Sequence, residues 1–427
     1  MAEDSRNGST VLPEPGKRNV LVTSALPYVN NIPHLGNIVG SVLSGDVFAR
    51  YCRGRGINTL YVGGTDEYGT TTEARALAEG CTPKELCDKY RVIHADVYKW
   101  FNISFDIFGR TTTELQTQIT QDIFLRLNGN GFLKERQTTQ LYSTQIGTRE
   151  SWTKLHHLST TEYLTYEGGK FSKSRNIGVF GDSAQKTGVA SDVWRFFLVS
   201  HRPESSDTEF TWDSFISDNN NLLLKNLGNF VSRVLKFVNS RNYDSIMPDW
   251  AEYHEDSFDA FKDDIAKLLT RYIQELDAVN LRSGLSTVLA ISQQGNGFLQ
   301  SNKLDGNLFN NEPSKCAAVI GIAVNLVHLL ASLLAPYMPD TASSINKQLC
   351  ADPLPIPDCW SADSIKPGHR IGAAEHLFRP IKPEKAQEWR KAFGADEAKK
   401  AKEEEAALKV KKKAALTAAK AAKAWFQ

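Results

Sequence analysis

Between Asn19 and Gly63 the chain runs strand, loop, helix, strand, and that order restricts its fold more than any other feature. Asn19–Ser24 (NVLVTS) is a short β-rich run, and a Pro/Asn loop follows from Pro27 to Pro33. From Ile38 to about Arg53, Val39, Val42, Leu43, Val47 and Ala49 fall mostly on one helical face, and Asn58–Gly63 (NTLYVG) returns as a strand. Two strands separated by a helix pair in parallel, so the order predicts a βαβ unit opening a doubly wound sheet. Further helices are expected at Thr72–Ala78, Pro83–Phe101 and Thr113–Leu127.

Past Val189 the pattern changes to long amphipathic helices with hardly any strand signal. Ser191–Ser200, Trp212–Asn239, His254–Ala278, Arg282–Asn302 and Ala317–Leu334 predict a helical bundle. The 427 residues, 41% of them hydrophobic, suffice for more than one core. The fold class expected is therefore α/β plus all-α, a partial Rossmann-like domain over 18–210 followed by a helical domain over 211–384. The first 17 residues lack the apolar centre of a secretory signal and the Arg-rich pattern of a mitochondrial one, and are expected to be a disordered lead-in. Apolar runs such as Ala317–Val327 read as too short and too interrupted for a bilayer, which takes about 20 apolar residues.

Six scattered cysteines without a C-x-x-C pair argue against a zinc knuckle or a disulfide framework, and for a reducing compartment. Cys52, inside a helical pattern, reads as a small core residue. The formal charge of +1 conceals a basic end, with 12 Lys/Arg against 6 Asp/Glu between Lys385 and Gln427. This Ala/Lys/Glu-rich segment is expected as an exposed helix or tail. It suits a polyanion partner, although a solubilising helix would have the same composition.

Two short stretches carry chemistry. In Thr23–Asn37 (TSALPYVNNIPHLGN) a helix begins at the loop's end, and a helix N-terminus offers free N–H groups and a positive dipole end to an anion. His34 can donate to a phosphate, Gly36 lets a nucleobase lie against the backbone, and Asn37 adds a donor that no pH change removes. In Gly168–Ser174 (GGKFSKS) two glycines suggest a hinge, and Lys170 and Lys173 bring mobile charge suited to a pyrophosphate. Alone, each stretch is more often a surface loop.

The pair in this order resembles the two signatures of class I aminoacyl-tRNA synthetases. Thr23–Asn37, Gly63–Gly69 (GGTDEYG), Val193–Arg195, Arg202–Glu204, Ser206–Trp212 and Leu227–Arg233 are similar to methionyl-tRNA synthetases of the eukaryotic cytosolic type, over most of Asn19–Phe393. The resemblance implies ATP, accompanied by Mg²⁺, bound by His34, Gly36, Asn37, Lys170, Ser172, Lys173 and Ser174, with His34, Asn37, Lys170 and Lys173 catalytic. It implies that Asp66 holds the α-ammonium of methionine, that Leu26 and Tyr28 line its thioether pocket, and that Asn229 and Arg233 read the CAU anticodon. From the residues alone, Asp66 could equally cap a helix, and Asn229 and Arg233 could cap or form ion pairs. The implied partners are tRNA(Met), methionine and ATP, with multi-synthetase or accessory proteins, and neither DNA nor a membrane; the implied location is cytoplasmic. The family's tryptophan after Gly-Asn of a later helix has no counterpart after Gly295-Asn296.

The chain also departs from the family. His34 and Lys170 are only 136 residues apart, and Thr138–Tyr142 runs directly into Ser143–Thr148, which resembles sequence beyond the connective insertion. Each βαβ unit takes about 30 residues or more, and 27 residues separate Ser143 from Lys170. An internal deletion between Tyr142 and Ser143 is therefore expected, removing the zinc-bearing insertion and much of the second half-sheet. His156 and His157 do not replace a metal site. A splice form, a gene-model error or a degenerate copy would each produce such a join. The expected function is methionine–tRNA ligation, with a catalytically impaired tRNA-binding remnant as the alternative. A cysteinyl or leucyl ligase is disfavoured by the missing zinc ligands and by the wording of Thr23–Asn37.

Overall fold

The computed structural model describes residues 11–133, 157–172, 177–240, 243–250 and 253–394. The Tyr142–Ser143 join, His156, Lys173, Ser174 and the chain beyond Gly394 lie outside the described residues.

Strands β1 (Asn19–Thr23), β2 (Asn58–Thr65) and β3 (Ile107–Arg110) form a parallel sheet in the order β1-β2-β3. Asn19 stands opposite Asn58, and Thr65 opposite Arg110. The β1–β2 crossover is one continuous helical run. An α-turn Leu35–Asn37 leads into a π-helical stretch Ile38–Val42 and the α-helix Leu43–Gly54. The helices Thr70–Glu79 and Pro83–Trp100 lie between β2 and β3. The second starts on a reciprocal cap between Thr82 and Glu85 with proline in its first turn.

A second parallel pair adds two short strands to those read from the sequence, one of them beyond Val189. β4 (Leu164–Tyr166) pairs with β5 (Thr208–Phe210), and the helix Ser191–Ser200 lies between them in the chain. Three-residue strands are too short to show alternation, and their packing holds them. Tyr166 and Phe210 are fully buried and stacked 5.8 Å apart, with Trp194 stacked on Phe210 at 5.7 Å.

One side of the first sheet is bare. Among the described residues β1 has no neighbour beyond β2, and Leu21 is 64% exposed. The helix Glu114–Gly129 buries no residue, although Leu115, Ile119 and Ile123, four apart, form an apolar row on one face.

The bundle begins with Trp212–Asp218, continues without a break through the π-helical Asn219–Gly228 into Asn229–Asn239, and adds Asp256–Asp277, Leu281–Ser301, Pro313–Leu334 and Pro339–Leu349. Pro313–Leu334 corrects the reading of its apolar run as short. Its 22 residues are long and apolar enough to cross a membrane, but every residue from Cys316 to Leu334 is buried inside the bundle. Central bundle helices are apolar all round for that reason.

A buried charge cluster joins sheet and bundle. Arg195 donates through Nε to the Tyr337 carbonyl (2.7 Å), through Nη1 to that of Phe101 and through Nη2 to that of Pro336, and pairs with Asp46 at 2.8 Å. Burial pushes the Asp46 carboxyl up, but Arg195, Arg50 and two bonds from Ser104 outweigh it and hold the group below its usual range. The helix Glu384–Ala392 corrects the expectation of an exposed segment from Lys385. Trp389 is buried against Trp212 (4.8 Å), Arg390 pairs with Glu167 and Asp213, and the Phe393 carbonyl accepts from Gly178 N–H.

Candidate active site and anticodon groove

The loop after β1 is held against the end of β2 by backbone bonds. Asp66 N–H donates to the Pro27 carbonyl at 2.9 Å and Val29 N–H to the Asp66 carbonyl at 3.3 Å, so Tyr28 and Asp66 sit side by side at the carboxyl edge of the sheet. Ligands of open α/β sheets bind at that edge. Asp66 does not cap the following helix, whose N-cap is Gly69; its carboxylate accepts from Tyr68 N–H instead. Leu26 and Tyr28 are 43% and 55% exposed, an apolar wall open to solvent.

His34 is the N-cap of the crossover helix. Its Nδ1 accepts from Asn37 N–H (3.3 Å), while Asn37 Oδ1 accepts from His34 N–H (3.2 Å). With Nδ1 accepting, the ring proton sits on Nε2, which is the end left to donate. Burial lowers the His34 pKa to about 4, so the ring is neutral at pH 7. Gly36 has a local reason beyond nucleobase access: a Cβ there would lie 3.0 Å from the His34 ring.

The His34 ring stacks on Phe171, with centroids 5.0 Å apart and planes within 7°. This contact brings the two motifs together, although Phe171 carries no signal of its own in the sequence. The two glycines of the second motif sit in a tight turn. Glu167 (φ 44°) and Gly168 (φ 85°) form the tip of a two-residue turn, and Tyr166 and Gly169 exchange both backbone bonds at 2.8 Å. Lys170 is exposed, and Ser172 bonds across to Ile177.

Asn229 and Arg233 lie one turn apart on an uninterrupted helix. Both are exposed, and among the described residues neither side chain makes a hydrogen bond or ion pair. They line a groove of about 370 Å³ together with Lys225, Ser232, Lys236 and His376. A capping or ion-pairing role is thus not what these two side chains do here.

Comparison with known proteins supplies independent information. The family model for class I tRNA synthetases (M) matches residues 20–149 and 145–235, two pieces that meet beside the Tyr142–Ser143 join. The anticodon binding domain of methionyl tRNA ligase matches 247–398. The chain is 36% identical to the cytoplasmic methionine–tRNA ligase of Saccharomyces cerevisiae, over 91% of this chain and 75% of that protein. That alignment runs over 566 positions, far more than this chain's 427 residues, so long gaps fall opposite the yeast protein. It is 33% identical to the cytoplasmic methionine–tRNA ligase of Arabidopsis thaliana, over 95% of this chain and 75% of that protein. In fold it is similar to Mycobacterium tuberculosis methionyl-tRNA synthetase bound by methionyl-adenylate, with a TM-score of 0.70 at 18% identity, over 85% of this chain and all of that one.

Proposed function

Because the chain belongs to the methionyl-tRNA synthetase family of class I, we propose that it is a cytoplasmic methionine–tRNA ligase. Methionine attacks the α-phosphate of ATP, which enters with its Mg²⁺, to give methionyl-adenylate and pyrophosphate. A hydroxyl of the 3′-terminal ribose of tRNA(Met) then attacks the methionyl carbonyl, taking the methionyl group and releasing AMP. The observation that carries this reading is the His34–Phe171 stack, which puts the two motifs in contact.

The residues then take the roles that the family resemblance implies. Neutral His34 donates through Nε2–H to a phosphate oxygen, and the Asn37 amide NH₂ donates beside it. Lys170 and Lys173, flanked by Ser172 and Ser174, offset charge building on the pyrophosphate. Asp66 pairs with the methionine ammonium, and Leu26 and Tyr28 contact its thioether. Asn229 and Arg233 read the anticodon.

The exposure of Leu26 and Tyr28 favours a second reading, a tRNA-binding remnant whose methionine pocket lost a wall to the internal deletion. Methionine-dependent ATP–pyrophosphate exchange on the purified chain separates the two. The ligase reading expects exchange, with Lys173→Ala slowing it far more than it weakens methionine binding. Equal losses would remove the role given to Lys173, and an absence of exchange with tRNA binding retained would leave the remnant.

A further inference from the structure

We propose that His376 is a base-stacking residue of the bundle that contributes affinity, lying against an unpaired base of the anticodon loop held over Asn229 and Arg233. The inference rests on the anticodon role given above to that groove.

The groove has the composition that single-stranded RNA requires. Lys225, Arg233 and Lys236 supply charge for phosphates, and Asn229 and Arg233 supply directional groups for base edges. Splayed bases also need a flat ring to lie on. Two lining residues carry rings. Phe378 is 6% exposed and faces inward, whereas His376 is exposed.

His376 is also held in place before any ligand arrives. Upstream, Ala374 N–H donates to Asn239 Oδ1 and Glu375 N–H to Gln348 Oε1, each at 2.8 Å. Downstream, Phe378 is inserted against Gly228, where an added Cβ would lie 3.1 Å from its ring. Beyond it, Asn219 and Asn220 bond the carbonyls of Arg379 and Ile381. Lys236 Nζ lies 3.5 Å from the His376 Nε2, at the outer edge of hydrogen-bond range. With the backbone on both sides anchored, only the side-chain torsions of His376 remain to be ordered on binding.

The test uses the full chain and an anticodon stem-loop RNA with a CAU loop whose middle base is 2-aminopurine. Affinity and 2-aminopurine fluorescence are read together at fixed salt. His376→Ala should bind on the order of tenfold more weakly, the scale of one lost base–aromatic stack, and should lose part of the fluorescence change. His376→Phe should restore both, with the salt dependence unchanged throughout. If His376→Phe is as weak as His376→Ala, stacking is wrong. If Arg233→Ala abolishes the preference for CAU while His376→Ala changes nothing, this inference fails and the anticodon reading stands. If neither variant alters binding and the parent chain shows no preference, both fail.

Discussion

The two halves of this molecule treat their large apolar side chains in opposite ways. Among the described residues, Leu12, Leu21, Leu77, Ile107, Leu115, Ile119, Ile123, Phe124 and Phe132 are all at least 45% exposed before Tyr163. Beyond it, only Ile246 stands out, at 38%. A closed bundle needs no further element, whereas a half-sheet leaves an edge and a helix face that a doubly wound fold would cover. We attribute the contrast to the Tyr142–Ser143 deletion. The helical half is closed, and the sheet half is open.

Substitutions at the seam should have the largest effect. Asp46→Ala leaves the Arg195 guanidinium buried without its carboxylate, at a cost of about 3–5 kcal/mol in chemical denaturation. A loss below about 1 kcal/mol would mean that sheet and bundle are not coupled through this pair. Within the bundle, Leu330→Ala should cost about 2–5 kcal/mol, whereas Ile119→Ala in the bare helix should stay within about 0.5 kcal/mol. Similar losses at both sites would erase the comparison. Ile119→Lys with Ile123→Lys should lower the binding of an apolar-surface dye and improve solubility without loss of stability. Unchanged dye binding would show the row is covered.

A pH-dependent effect is expected from titration of His34. Its folded pKa, about 4, lies below the ordinary 6.5, so the unfolded chain binds more protons between those values. Stability from this group is therefore full above pH 6.5 and is lost as the pH falls to about 4. His34→Asn keeps a capping side chain and should flatten the pH dependence of melting in that window. An unaltered profile would show that burial of His34 is not felt.

Much of this was legible in the sequence because it rests on periodicity and local signals. Strands β1 and β2, the crossover helix and the bundle helices follow from apolar spacing. What escaped depends on partners distant in the chain. β4 and β5 exist because Tyr166, Trp194 and Phe210 stack. Pro313–Leu334 is apolar because other helices surround it. Trp389 anchors a segment that composition alone describes as an exposed tail. At the candidate site, His34, Asn37 and Asp66 were visible in their motifs. The Phe171 stack and the His376 side of the groove required coordinates, since both join residues more than 130 positions apart to the motif residues.

Selective tRNA binding by the full chain tests the central claim most directly, because that claim assigns anticodon reading to the closed half. At moderate salt the chain should prefer tRNA with a CAU anticodon over the same tRNA with a changed one. Arg233→Ala should erase that preference while leaving a salt-dependent background. Deleting Lys399–Gln427, which carries nine lysines against three glutamates, should weaken all tRNAs together and flatten the salt dependence. Equal binding of both tRNAs by the parent chain would contradict the account.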